Sequence, residues 1–273
     1  MTSTATPTRK KLSPRRRAQR IRWVNYGVLV LAVVAVILFA DGRQLQSVFF
    51  RPDLVAETVG PSLLNALKNT VLYTVGAFVF GLVLGTVLAL MKLSQIGPYR
   101  WIATGYTEIF RGVPAIIVLL AFSLISLAIP GLRIPLDPFG SVWMALGLVA
   151  SAYMSETIRA GIQAVPKGQT EAARSLGMTS GMATRKIVLP QAFRIVTPPL
   201  TNELVSLTKD SSLIYVIGLS AEAFDLTKYG RDLANTYSNM TPLVIAGLTY
   251  LVITLPLTFL VRRMEATQRK ATR

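Results

Sequence analysis

Five polar side chains crowd an otherwise apolar stretch of the sequence: Asn202, Glu203, Ser206, Lys209 and Asp210. If the stretch is helical, at 100° per residue they fall within an arc of about 120°, and Leu204, Val205, Leu207 and Thr208 take the remaining circumference. Such a face offers carboxylates, an amide, a hydroxyl and an ammonium, which are the groups a water-lined path for a small zwitterion requires. A second set, Ser155, Glu156 and Arg159, follows Ser151 in SAYMSETIRAG. An ionisable side chain at the centre of a bilayer costs at least about 2.5 kcal/mol on insertion scales, so each of these groups needs a polar cavity or a partner. Packing is the competing explanation, since a pair between Glu203 or Asp210 and Lys209 or Arg159 would fix helices without touching a solute.

The elements that must position these residues are membrane helices. The chain of 273 residues is 52% hydrophobic and 15% charged, with a mean hydropathy of +0.49, too apolar for an ordinary soluble domain. It has no cysteine and no histidine, which removes disulfides, thiol chemistry, histidine-based metal sites and a histidine base. The net charge of +16 does not imply nucleic acid, because Lys and Arg flank the apolar runs. Six apolar segments approach the roughly 20 residues a bilayer core requires, at about 23 to 40, 68 to 91, 113 to 129, 142 to 160, 195 to 217 and 242 to 261. The basic run before the first holds the N-terminus in the cytoplasm, and alternation then puts 22 of the 29 lysines and arginines inside. The expectation is an all-α integral membrane protein with six transmembrane helices and both termini cytoplasmic.

Residues 1 to 22, rich in Ser, Thr, Pro and Arg, are expected to be a disordered basic cytoplasmic tail, and 263 to 273 a second basic tail. Residues 23 to 59 read as an N-terminal transmembrane helix and external loop. This helix is a retained anchor rather than a cleaved signal, because no small-x-small site follows it. Ala77, Gly81 and Gly85 recur every four residues, as close packing of two helices in lipid favours. Trp23, Tyr99, Trp101 and Trp143 are expected at membrane interfaces.

Between the fourth and fifth segments, residues 166 to 190 are polar and far longer than a turn needs. GQTEAARSL is rich in helix formers, and Gly177 is expected to supply a bend where a side chain would be crowded. SGMATRKIVL restarts a helix, with Pro190 closing the segment. Glu171, near the start of the first short helix, is placed to favour its N-terminus. Ala172, Ala173 and Gly177 leave little area to embed in lipid, so contact with another protein suits this pair of short helices better than an interfacial role.

Glu171, Ala172 and Ala173, then Gly177, then Ile187, Leu189 and Pro190 match in full the EAA, Gly, I-x-L-P pattern of one family. The chain resembles permease subunits of binding-protein-dependent ABC importers, in the polar amino acid branch. RGVPAIIVLL from Arg111, ETIRAGI, GQTEAARSLGM, LPQAFR and LTKDSSL add to the likeness, which covers roughly residues 60 to 262 and leaves out the N-terminal helix.

The resemblance implies a five-helix type I importer core, residues 60 to 262, with the loop at about 166 to 190, Arg174 included, docking as a coupling helix on a separate ATPase. It implies a second permease subunit (a heteromer favoured, a homodimer possible), an extracytoplasmic solute-binding protein, and a multi-pass place in the bacterial cell membrane. No G-x-x-x-x-G-K-[ST] phosphate loop is present, so ATP and Mg are expected on the partner ATPase, with no cofactor, metal or catalytic residue in this chain. Glutamate or glutamine is the first substrate expectation, with basic amino acids next. An ion-coupled secondary transporter or channel is the alternative, in which Glu203 would couple flux to ions; it would favour inverted repeats, which are not seen. A membrane scaffold would not need the polar stripe.

Overall fold

The computed structural model describes residues 14–39, 41–129 and 131–271, and among them every regular element is helical. Contacts divide the chain into two units, Met1–Arg51 and Pro52–Arg273. The smaller holds α1 (Pro14–Phe39) and α2 (Gly42–Phe49). The expected disordered tail needs correction over residues 14–22, which form the first turns of α1, while residues 1–13 lie outside the described residues. Arg, Ala and Gln are good helix formers and proline is pre-organised for a first helical position, so the span propagates back through the arginines without a core of its own. Asp41 caps α2 by accepting from the backbone N–H of Arg43 (3.0 Å) and Gln44 (3.2 Å).

The larger unit begins with α3 (Pro52–Thr58). Leu54 and Thr58 of α3 are buried, and the Tyr229 hydroxyl donates to the Thr58 carbonyl at 2.9 Å, so this stretch, expected as external loop, belongs to the core. Then come α4 (Pro61–Leu93), α5 (Gly97–Gly112), α6 (Ala115–Ser123), α7 (Ile125–Ala128), α8 (Phe139–Gln163), α9 (Lys167–Ser175), α10 (Ser180–Ala183), α11 (Leu189–Asp210), α12 (Leu226–Thr236) and α13 (Thr241–Ala271).

Among the described residues, Pro61–Leu93 and Thr241–Gln268 are each long and apolar enough to cross a bilayer, with a mean hydropathy of 2.2 in their most apolar windows. A third crossing would combine α5 and α6, which meet at 97°. The span expected over 113 to 129 is interrupted at Leu124, between α6 and α7, and α6 leaves α5 at a sharp angle. Pro114 has no N–H to continue a helix and biases its predecessor away from the helical region, and Val113 is extended (φ −89°, ψ 130°). The segments expected as the fourth and fifth spans are helical, but serines, tyrosines and charged side chains lower their apolarity.

The core is α4 against α8. A Cβ on Gly81 would meet Ala150 Cβ and the Gly147 carbonyl at 3.2 Å, and one on Gly85 would meet Met154 Cβ and the Ser151 carbonyl at 3.0 Å. Gly147 on α8 is as close to the Ala77 carbonyl, 3.0 Å. The small-residue stripe is thus where two backbones approach, and with lipid tails as apolar as leucine the gain is van der Waals contact. Tyr73, Val118, Leu119, Val142, Leu146 and Leu207 fill the space around it, bringing α6 and α11 onto the pair. Trp143, expected at a membrane interface, packs against α4. Its ring lies where a Cβ of Gly76 would be, 2.1 Å away, and its N–H donates to the Leu72 carbonyl at 3.0 Å.

At the other end of α4, polar side chains hold a strap of backbone. Asn69 donates to the carbonyls of Glu222 (2.7 Å) and Phe224 (3.0 Å), and Tyr73 to that of Ala223 (2.9 Å). Asp225, fully buried, caps α12 through the N–H groups of Thr227 and Lys228 and accepts from the Tyr250 hydroxyl at 3.0 Å. Helix α13 runs unbroken to Ala271, so the expected basic tail is the last turns of a helix, with residues 272–273 outside the described residues. Gln268 donates to the Arg194 carbonyl, the acceptor that Pro198 in α11 leaves without its usual helical partner.

Candidate coupling loop and polar helix

The loop is built around one glycine. Gly177 has φ +86°, a left-handed value that L-residues rarely adopt. Its N–H donates to the Arg174 carbonyl (3.0 Å) and that of Met178 to the Ala173 carbonyl (3.1 Å), the paired bonds of a Schellman cap that ends α9. Nothing lies within 4 Å of a Cβ placed on Gly177, so the requirement is conformational and the expected crowding is absent within this chain. Glu171 also departs from expectation: α9 starts at Lys167 and has no acid in its first turn, so Glu171 is displaced from the helix N-terminus. Glu171 and Arg174 are exposed, Ala173 is buried, and Leu176 presents 84% of its surface. Glu171 lines a recess of about 520 Å³ with Gln163, Lys167, Thr170 and Val188.

Thr179 restarts the chain by capping α10, its hydroxyl accepting from the Met182 N–H at 3.3 Å. From there the helix does not end at Pro190. Residues Thr184–Val188 form a π turn, with the Leu189 N–H reaching the Thr184 carbonyl, and α11 follows directly. The wide turn makes room for the ring of Pro190, which would otherwise crowd the carbonyl four residues back. Ile187 and Leu189 are half-buried in this stretch and Pro190 is exposed. The second short helix is therefore the first part of α11, and the loop joins two long helices, α8 and α11, whose ends touch where a Cβ on Gly161 would overlap Val196 Cγ1.

On α11 the two faces separate. Val205, Leu207 and Thr208 are buried; Asn202 and Lys209 are exposed; Glu203, Ser206 and Asp210 are intermediate. Among the described residues no ion pair involves Glu203, Lys209 or Asp210. Lys209 lines a groove of about 450 Å³ with Ser212, Thr227, Gly247, Tyr250 and Thr254, between α11 and α13.

The α8 set goes elsewhere. Ser155 is fully buried with its hydroxyl on the Ala152 carbonyl (2.9 Å). Glu156 pairs with Lys92 of α4 and, through Oε2, with Arg159 Nη2 (2.6 Å) and Nε (2.9 Å). Arg159 thus spends its charge within α8, and the pairing of Arg159 with α11 carboxylates weighed from the sequence does not form. Among the described residues no group of His, Cys, Asp or Glu is placed to hold a metal ion.

The loop pattern, its capped geometry and the helical scaffold coincide with one family: the inner membrane components of binding-protein-dependent transport systems match residues 77–270. The chain belongs to this family. Permease relatives include the arginine transport system permease protein ArtQ of Bacillus subtilis, 41% identical over 75% of this chain and 91% of that protein. The glutamate/aspartate import permease protein GltK of Escherichia coli is 39% identical over 75% and 92%, and the L-cystine transport system permease protein TcyB of Bacillus subtilis is 41% identical over 63% and 72%. A solved amino acid ABC transporter with histidines aligns with a TM-score of 0.68 and 38% identity, covering 79% of this chain and 97% of that one. These relatives are permease subunits of amino acid ABC importers, membrane components rather than enzymes.

In this permease some structural links were beyond reach of the sequence. Leu176 lies within GQTEAARSLGM, but its exposure at the end of α9 is visible only once the cap is formed. Lys92 and Thr107 read as ordinary residues at helix ends, and their link to Glu156 spans 64 residues of sequence in the case of Lys92. Asn69 and Tyr73 had one available signal, polar side chains recurring on one face of an apolar helix.

Proposed function

We propose that the chain is a translocating subunit of an ATP-driven importer of polar amino acids, crossing the bacterial cell membrane several times with both termini in the cytoplasm. The exposed, glycine-capped α9 with its complete EAA pattern carries this reading. Glu171, Ala172, Arg174 and Leu176 contact a separate ATPase that binds ATP and Mg. Closure of two ATPases rocks two permease subunits between inward-facing and outward-facing states. A heteromer with a related permease is favoured, and an extracytoplasmic binding protein delivers the solute. The stripe Asn202, Glu203, Ser206, Lys209 and Asp210 lines the path, a place consistent with its exposure on a helix otherwise packed against α8 and α13.

Glutamate or glutamine is the substrate class the sequence favours. One observation favours a cationic amino acid instead: Glu203 and Asp210 set two carboxylates, without ion-pair partners among the described residues, against the single ammonium of Lys209. Uptake into vesicles holding the assembled complex, with arginine, glutamate and glutamine in competition, separates the two. Glu203→Gln is expected to weaken uptake of a cationic substrate and to spare or improve an anionic one. Unchanged uptake and selectivity in both Glu203→Gln and Asn202→Ala would remove the stripe from the path.

A further inference from the structure

Side chains at the end of α4 and along α8 make a continuous chain of charge and hydrogen bonds that ends at Gln163, just before the coupling loop. Lys92 lies at the end of α4, its side chain 8% exposed, and its ammonium donates to Glu156 Oε1 and to Thr107 Oγ1 of α5 (2.6 Å). Glu156 Oε2 takes both Arg159 contacts, and Arg159 Nη1 reaches Gln163 Oε1 at 2.7 Å. Gln163 closes α8, and α9 begins at Lys167.

We propose that Lys92, Glu156 and Arg159 form a tie that passes displacement of α9, carried by the end of α8, into α4 and α5, so that α4, α5 and α8 move as one body when the loop is pushed. Lys92 is its positioning residue. The inference rests on reading α9 as the ATPase contact. Three features support it. Both carboxylate oxygens of Glu156 are engaged, one toward another helix and one along its own, so the group joins the two directions. A partly buried ion pair such as this one adds little net stability over apolar side chains of the same volume, and its best-attested use is to fix one geometry. The glycine contacts that hold α4 to α8 reach only as far as Ser155, so the turn between there and the loop has this tie in their place.

The test uses the complete importer, with ATPase and binding protein, in proteoliposomes. Lys92→Met cuts the link between helices while Glu156 keeps Arg159 as its counter-charge. Expected are normal copurification of the ATPase and continued ATP hydrolysis, with substrate moved per ATP lowered about fivefold or more, as a lost coupling between sites gives. Lys92→Arg is expected to restore the ratio. Wild-type substrate per ATP in Lys92→Met overturns the proposal. So does failure of Lys92→Met to accumulate in the membrane, which would make the pair a folding element. The loop reading fails separately: normal ATPase association in Gly177→Val would remove the source of the force, whatever Lys92→Met does.

Discussion

At the scale of single residues, Gly177 separates two physical explanations that the sequence alone confounds. A crowded contact penalises side chains by size, whereas a positive φ penalises them by conformation. The φ of +86° establishes the second within this chain, whereas the first would act only at a contact with a partner. A left-handed backbone costs an ordinary L-residue about 1–2 kcal/mol, while asparagine tolerates it, and that range corresponds to about 5- to 30-fold in the population of the capped loop. Gly177→Asn is therefore expected to retain more ATPase association than Gly177→Ala although it is the larger side chain, with Gly177→Val worst. Quantitative copurification ranks the three, and an order that follows side-chain size would restore the crowding explanation. Leu176, exposed beside the cap, belongs to the same surface. Leu176→Ser is expected to weaken ATPase association while leaving the amount of protein in the membrane unchanged.

At the scale of elements, close approach of α4 and α8 is the feature on which the larger unit depends. Gly85→Leu would place its side chain against the Met154 Cβ and the Ser151 carbonyl, backbone that cannot give way cheaply. Overpacking a well-filled contact costs about 1–3 kcal/mol or more, so loss of membrane accumulation and a lower melting temperature are expected for Gly85→Leu. Gly105→Leu, where a side chain meets nothing within 4 Å, should match wild type. That contact was legible in the sequence because small residues at a spacing of four mark one face of a helix. The break at Gly177 was legible from glycine's own conformational freedom, and periodicity gave the buried side of α11. It could not give the partner across a face: Glu156 meets Lys92 rather than a residue of α11, and Trp143 covers Gly76. The 97° turn at Pro114 and the unbroken passage from α10 into α11 were hidden for a related reason. A proline constrains its own neighbourhood, and whether the helix stops, bends or widens into a π turn depends on what packs around it.

At the scale of the whole molecule, the helices divide labour. Contacts along α4, α6 and α8 fix a scaffold, α9 with its cap stands out from it, and α11 carries a polar face that no ion pair among the described residues neutralises. On the proposed reading a separate ATPase supplies the energy, whereas in the alternative the chain's own carboxylates couple flux to ions. The two ways of driving it therefore predict opposite responses to the same treatment. Uptake of labelled amino acid by proteoliposomes holding the complete complex, with ATP inside or outside as the ATPase requires and with ionophores collapsing the proton and sodium gradients, is the direct measurement. ATP-driven transport predicts that uptake persists while ATP is maintained and stops when hydrolysis is blocked; uptake that survives without the ATPase and disappears with the ion gradients would contradict it.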